Sequence, residues 1–268
     1  MRLVILAALL PFFFGCRTTS PEDGSTGLVL LVPDVGQGHG VALVEGDRAV
    51  VVDAGPPQQN ALEKALRAQG VREIELLVLT HPDLDHFGGL DSLTPPLRGI
   101  LHGAMSREDS ARSIPRCPSY PQGCRRVRSL EEFHVLDDVT LRILGPFDTG
   151  ASPETNANSL VVEFRQQGRA LFVATGDLDS LGELALLDRL EPTEVVQLGH
   201  HGSAGSSHLR WLGAMMPRYA VVQAGQDNPY GHPTAEALGR AVAVGCRILR
   251  PVGNCLRLAF APRAELLD

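Results

Sequence analysis

The stretch Thr80-His81-Pro82-Asp83-Leu84-Asp85-His86-Phe87-Gly88-Gly89 constrains this chain more than any other. It follows Leu76-Leu77-Val78-Leu79, a short apolar run that reads as a buried strand. Two imidazoles and two carboxylates therefore leave one strand end together. Imidazole nitrogen and carboxylate oxygen suit a divalent first-row metal, and a tight loop can wrap side chains at i, i+2, i+4 and i+5 around one or two ions. A polar loop opening a helix, with Asp83 or Asp85 as N-cap, would explain one of these residues but not four. Gly88-Gly89 marks a place where backbone must pass closely.

The surrounding chain alternates strands and helices. Strands are expected at Leu28 to Val32, Val41 to Glu45, Ala49 to Val52, Glu75 to Thr80, Val139 to Leu144, Leu160 to Arg165, Ala170 to Ala174, Val195 to Leu198 and Tyr219 to Gln223. Helices are expected at Gln58 to Gln69, from near Leu84, at Ser180 to Leu190, around Ser207 to Leu212 and at Ala235 to Val242, before a final hairpin. Asp34, His81 to His86, Asp177, His200-His201 and His232 each sit just past a predicted strand end. In helix-fed sheets, ligands gather at that edge.

Residues 27–268 are long enough for a hydrophobic core of their own, and 44% of the chain is apolar. Ahead of them, Met1-Arg2, the apolar run Leu3 to Phe14 and Gly15-Cys16 read as a signal peptide over 1–16 with Cys16 as lipidation site. Residues 17–26 read as a flexible tether. An exported protein, periplasmic or on the outer surface, is the expectation, with membrane contact only through a lipid at Cys16 and no protein partner evident. The pairs Cys117/Cys124 and Cys246/Cys255 are each close enough in sequence to close a disulfide there. A net charge of −7 excludes general attraction to nucleic acid. Residues 99–130 run against that charge, with Arg107, Arg112, Arg116, Arg125, Arg126 and Arg128 against Glu108 and Asp109, and read as a basic loop insertion. It is either solvated surface or a positive rim for a phosphate-bearing polymer such as DNA, with Arg125, Arg126 and Arg128 as contacts.

The set Asp34-Val35-Gly36-Gln37-Gly38, Val52-Asp53-Ala54-Gly55, His81 to Gly89, Asn158-Ser159-Leu160, Thr175-Gly176-Asp177, His200-His201-Gly202-Ser203 and Tyr230-Gly231-His232-Pro233 resembles the metallo-β-lactamase superfamily. More narrowly, it is similar to the hydrolase domain of the ComEC/Rec2 competence proteins. The resemblance implies an α/β fold, a four-layer αβ/βα sandwich with a dinuclear metal site at one edge. Carried over, His81 and Asp83 hold one ion, Asp85 and His86 the other, and Asp177 bridges them. One of His200 and His201 completes the second site, with His200 favoured for its nearness to the strand end. Asp34 would brace the metal-binding loop. Asp83 stands where most of the superfamily has His, His39 replaces an acidic residue, and a third histidine has no obvious counterpart, since His102 and His134 lie in poor context. Asn158 falls where competence-type domains carry Asn.

Three carboxylates, Asp83, Asp85 and Asp177, make the expected site oxygen-rich, so two divalent ions are expected, Zn²⁺ or Mn²⁺. The expected function is hydrolysis of a phosphodiester, foremost in nucleic acid, by a metal-activated hydroxide. Asp85, His232 and Asn158 are the candidate catalytic residues, with His232 touching the phosphate or protonating the leaving oxygen and Ser203 supplying donors near the site. Alternatives are a cell-envelope phosphoester of phosphorylcholine type, a lactam or lactone, and a non-catalytic metal-binding domain of an envelope assembly.

Overall fold

The computed structural model describes residues 27–114, 123–146, 156–261 and 263–267. The predicted leader, Cys16, the tether, Arg116 and Cys117 lie outside them. In chain order the strands and α-helices are β1 (Val29–Pro33), β2 (Val41–Glu45), β3 (Arg48–Val52), α1 (Ala61–Ala68), β4 (Glu73–Leu79), α2 (Leu84–Phe87), β5 (Gly99–His102), α3 (Arg107–Ser113), β6 (Gly123–Arg126), β7 (Glu132–His134) and β8 (Val139–Gly145). They continue with β9 (Val161–Gln166), β10 (Arg169–Ala174), α4 (Ser180–Ala185), β11 (Thr193–Gln197), α5 (Leu209–Met215), β12 (Tyr219–Val221), α6 (Ala235–Ala243), β13 (Arg247–Leu249), β14 (Cys255–Phe260) and β15 (Ala264–Leu267).

One sheet has the order β15-β14-β1-β2-β3-β4-β5-β6 and the other β13-β12-β11-β10-β9-β8-β7. Period-two alternation explains how they stack. Leu30, Val32, Val50, Val52 and Val78 of the first sheet meet Leu141, Ile143, Val162, Phe164 and Phe172 of the second in a central core. The alternate residues Val29, Leu31, Val51 and Leu77 face outward, onto Leu62, Ala65 and Leu66 of α1. On the far side Val161, Val173 and Val196 pack against Leu186, Trp211, Leu212, Met215 and Ala241. The order helix, sheet, sheet, helix is the expected four-layer sandwich. Strands covered on both faces are continuous apolar runs, which is why β3 and β10 read clearly from sequence.

Three expectations are corrected. The described residues of 99–130 are not simply a loop: β5 and β6 extend the first sheet, each parallel to its neighbour, and α3 lies between them in the chain. Both strands are only four residues long, and β6, at the edge of the sheet, carries Arg125 and Arg126, which hid the pattern. The helix expected over Ser180 to Leu190 stops at Ala185 and yields to a 3₁₀ turn at Leu187–Arg189. Cys246 and Cys255 are free thiols. Cys246 is buried among the helices on one side of the sandwich, and Cys255 packs with the α1 side of the other, so nearness in sequence is not nearness in space. Burial pushes both thiols up to about 11.

The register of the parallel strands positions the chemistry. β3, β4, β5 and β6 all run the same way, so Asp53, His81, Gly103 and Val127 leave one edge of the first sheet. β10, β11 and β12 are likewise parallel, delivering Asp177, His200-His201 and Gln223 from the second.

Candidate metal centre

The site is built outward from one buried carboxylate. Asp53 leaves β3 with φ +55°, in the left-handed region, and is wholly buried. Its carboxylate accepts from the Thr80 backbone N–H (2.8 Å), the Thr80 hydroxyl (2.7 Å) and a ring nitrogen of each of His86 (2.7 Å) and His39 (2.9 Å). Backbone bonds stitch the loop to the same strand end: Ala54 N–H to the His86 carbonyl (2.6 Å) and Gly89 N–H to the Gly55 carbonyl (2.8 Å). A Cβ at Gly89 would collide with the Ala54 carbonyl oxygen, which explains the second glycine of the pair. With Nδ1 of His86 engaged by Asp53, its Nε2 is left facing the cavity, the second-sphere arrangement that orients a ligating imidazole.

Around that anchor the other groups converge. His86 Nε2 lies 3.2 Å from one Asp177 oxygen, and His81 Nε2 lies 3.8 Å from the other and 3.6 Å from Asp83. His201 Nε2 lies 3.3 Å from Asp85 and 3.6 Å from Asp177, while His200 Nε2 is 3.6 Å from Asp177. Asp83 stands at the N-cap position of α2, but its side chain makes no capping bond, so the simple cap reading does not describe it.

Strain and brackets from the second sheet hold the other half. His200, His201 and Gly202 all have positive φ (48°, 55° and 80°), a conformation that costs a non-glycine residue about 1–3 kcal/mol. The turn is held by His200 N–H to the Gly176 carbonyl (3.0 Å), by Ser207 Oγ to Gly199 N–H (2.9 Å), and by a ring nitrogen of His201 on the Gln223 carbonyl (3.1 Å). Gln223 is itself clamped by its amide to Pro33 and Gly40 of the first sheet. The Asp177 backbone N–H donates to Ser159 Oγ (3.1 Å). Behind the turn, the carboxylate of Glu183 accepts the N–H groups of Ser207 (2.6 Å) and His208 (2.7 Å), and burial pushes it up to about 7.

Each expected residue can now be placed. His81, Asp83, Asp85, His86, Asp177, His200 and His201 come together. The preference for His200 is not what the geometry favours: His201 is the buried one, set against Asp85 and Asp177, while His200 remains about one-third exposed. The turn, reversing φ, points the second histidine inward. Asp34 does not brace the metal loop: its carboxylate takes the N–H groups of Gly36 (3.1 Å) and Gly253 (2.7 Å), tying two turns together. Asp53 does the bracing, a role that its place in Val52-Asp53-Ala54-Gly55 does not reveal because its partners lie 14 to 33 residues away. His39, noted for replacing an acidic residue, shares that same carboxylate. Ser203 braces its own turn, accepting from Gly205 N–H (3.2 Å). Asn158 is buried just before β9, which is tied to the loop by Leu160 N–H on the Thr80 carbonyl (2.8 Å). The ring of His232 meets that of His200 edge-on at 5.6 Å. Arg125 is paired with Glu131 and lies over the Phe133 ring, so its charge is partly spent.

The donor set fits divalent metal. Nε2 of His81, His86 and His201 and Oδ1 of Asp177 are buried with no hydrogen-bond partner. Such atoms cost about 1–3 kcal/mol each unless something pairs them, and a cation does. Two groups, His81/His86/Asp177 and Asp85/His86/His201, bring their ligand atoms within 4.8 Å of one another. Burial resists ionisation of Asp177, yet His86, His201 and His81 hold its carboxyl well below the usual range, which favours the charged form a metal would need.

Comparison with known proteins closes the case for ancestry. A family model described as the metallo-beta-lactamase superfamily matches residues 33–225. The chain belongs to the metallo-beta-lactamase superfamily. Competence protein ComA of Neisseria gonorrhoeae is 34% identical over 222 residues, covering 81% of this chain and 30% of that protein. ComE operon protein 3 of Bacillus subtilis is 28% identical over 200 residues, 70% of this chain and 25% of that protein. The chain therefore spans under a third of the length of these relatives. The metallo-beta-lactamase fold protein YhfI from Bacillus subtilis superposes with a TM-score of 0.57 at 12% identity, over 86% of this chain and 99% of that one, a likeness of fold. As a superfamily member with its His and Asp clusters in place, the chain is a metal-dependent hydrolase.

Proposed function

We propose that this protein hydrolyses phosphodiester bonds in nucleic acid. The observation that carries the proposal is the donor set: three carboxylates, Asp83, Asp85 and Asp177, alternate with imidazoles around one opening. Such an oxygen-rich set accepts Mn²⁺ as well as Zn²⁺. When bound, two divalent ions supply Lewis acidity toward a phosphoryl oxygen and lower the pKa of a water. His81 and Asp83 would hold one, Asp85, His86 and His201 the other, with Asp177 between.

The chain's own residues supply the rest. Burial, then the neighbouring His200 and His201, pulls the His232 pKa down, so this imidazole is neutral near pH 7. A neutral ring offers one N–H as a hydrogen-bond donor to a phosphate or leaving oxygen rather than a whole positive charge. Asp53 keeps His86 oriented while substrate enters, and the buried Thr80, Ser159 and Asn158 keep solvent out from behind.

Nucleic acid is favoured over other phosphodiesters by two supports. One relative, ComA of Neisseria gonorrhoeae, is named a competence protein, and another, from Haemophilus influenzae, is named Recombination protein 2. Arg126 and Arg128 are exposed at the end of β6, on the sheet edge that also bears His81. Attachment through a lipid at Cys16, outside the described residues, would put this activity at the cell envelope.

The test is hydrolysis by the purified protein, loaded with Zn²⁺ or Mn²⁺. Single- and double-stranded DNA, a generic phosphodiester, a phosphorylcholine ester and a chromogenic β-lactam are the substrates, and His81→Ala is the control. Turnover of DNA and the diester that His81→Ala loses supports the reading. If both stay intact in both metals while another substrate is consumed, the nuclease reading is wrong.

A further inference from the structure

An aromatic ladder climbs out of the metal centre. The ring of His232 stands edge-on to His200 at 5.6 Å, and Tyr230 lies 29° from parallel with His232 at 5.8 Å. Tyr230 is 67% exposed. What sets it apart from other exposed apolar side chains is its place, one ring contact beyond His232 and two beyond His200 at the metal centre.

The loop that presents it is rigid before any ligand arrives. The Asn228 carbonyl oxygen accepts the N–H groups of Tyr230 and His232, both at 3.1 Å, and its amide donates to the carbonyls of His232 (2.6 Å) and Gly225 (2.7 Å). Gly225 N–H is in turn taken by Gln37 (3.2 Å), and Thr234 N–H by the Gly202 carbonyl (2.9 Å). The backbone that carries the ring is therefore ordered in the free protein, so little loop entropy is lost on contact. An imidazole near the site and a flat aromatic face a step outward match a phosphate and the base beside it.

We infer that Tyr230 is a stacking platform for an unpaired nucleobase next to the scissile phosphate, which makes single-stranded nucleic acid the preferred substrate. The inference rests on the phosphodiesterase reading above. A base inside a duplex presents no free face at that position; an unpaired one does, and stacking on an aromatic tolerates any base. A quaternary ammonium would also rest on an aromatic face, but recognition of that kind uses a cage of rings, and here one exposed tyrosine stands beside two histidines.

The experiment compares cleavage of a single-stranded oligonucleotide with that of an abasic deoxyribose-phosphate oligomer of equal length. The metal-loaded full chain is used, as wild type, Tyr230→Ala, Tyr230→Phe and Tyr230→Trp. Wild type, the Phe and the Trp variants should prefer the base-bearing strand. Tyr230→Ala should lose roughly ten- to hundred-fold in kcat/KM on it, mostly through KM, and bring the ratio of the two substrates close to one. If Tyr230→Ala slows both substrates equally, the ring merely supports the loop and the platform is overturned. An unchanged ratio in every variant overturns it too, while leaving the nuclease reading intact. Failure of wild type to cut any oligonucleotide overturns both readings. Turnover of a phosphorylcholine ester that Tyr230→Ala then abolishes would reassign the ring to a cation.

Discussion

At the scale of single residues, the chemistry depends on how two carboxylates are surrounded. Asp53 satisfies Thr80, His86 and His39 at once, in full burial. Asp53→Ala leaves those donors unpaired, so unfolding free energy should drop by about 3–5 kcal/mol and metal affinity by 10–100-fold. Denaturant titration and competition with a chelating dye would measure the two effects, and a variant of unchanged metal affinity would refute the bracing role. The two adjacent histidines should separate in the same way. His201→Ala should lower bound metal by one equivalent, by elemental analysis, whereas the more exposed His200→Ala should keep more than half of it; equal losses would contradict the assignment. Residue types were readable from the sequence; their orientation was not. A one-residue difference between His200 and His201 is decided by three successive left-handed φ values, which no hydrophobic pattern encodes.

Among elements, the short turn after β11 is the strained part, and the helix behind it is its support. Glu183 on α4 holds the turn by two backbone bonds from within the protein. Its carboxyl is raised from 4.5 to about 7 by burial, so the neutral form is favoured in the fold. The sign follows: the stabilisation is complete below about pH 4.5 and is lost as the pH rises through about 7. The thermal midpoint of the wild type should therefore fall more than that of Glu183→Gln between pH 5 and pH 8, as read by calorimetry on metal-free protein. Parallel curves would show that Glu183 does not titrate there. The edge strands tell the opposite story about legibility. β5 is only four residues long, and β6, at the edge of the sheet, carries Arg125 and Arg126 in place of an apolar run, so a stretch that continues the sheet reads as a loop. Doubly covered strands announce themselves; edge strands do not.

Over the whole molecule, the site exists only because two sheets bring their strand ends to one rim. His81 to His86 come from the first, Asp177 and His201 from the second, and Gln223 clamps one to the other through Pro33 and Gly40. The layer order was legible only through the resemblance to the superfamily; alternating strands and helices with His or Asp past their ends pointed by themselves to a helix-fed sheet with its ligands at one edge. The free thiols were not: Cys246 and Cys255 are near in sequence but lie in different layers of the sandwich. Gln223→Ala should loosen the clamp across the sheets, lowering the thermal midpoint by several degrees and weakening metal binding together. A fall in stability with unchanged metal affinity would confine its role to packing. The proposed two-metal phosphodiesterase centre at this rim is tested by the rate of phosphodiester hydrolysis as metal is titrated into the metal-free protein. Activity should rise until two equivalents of Mn²⁺ or Zn²⁺ are bound and should be absent from His81→Ala. Two equivalents bound with no hydrolysis of any phosphodiester, or hydrolysis that persists without metal, would contradict it.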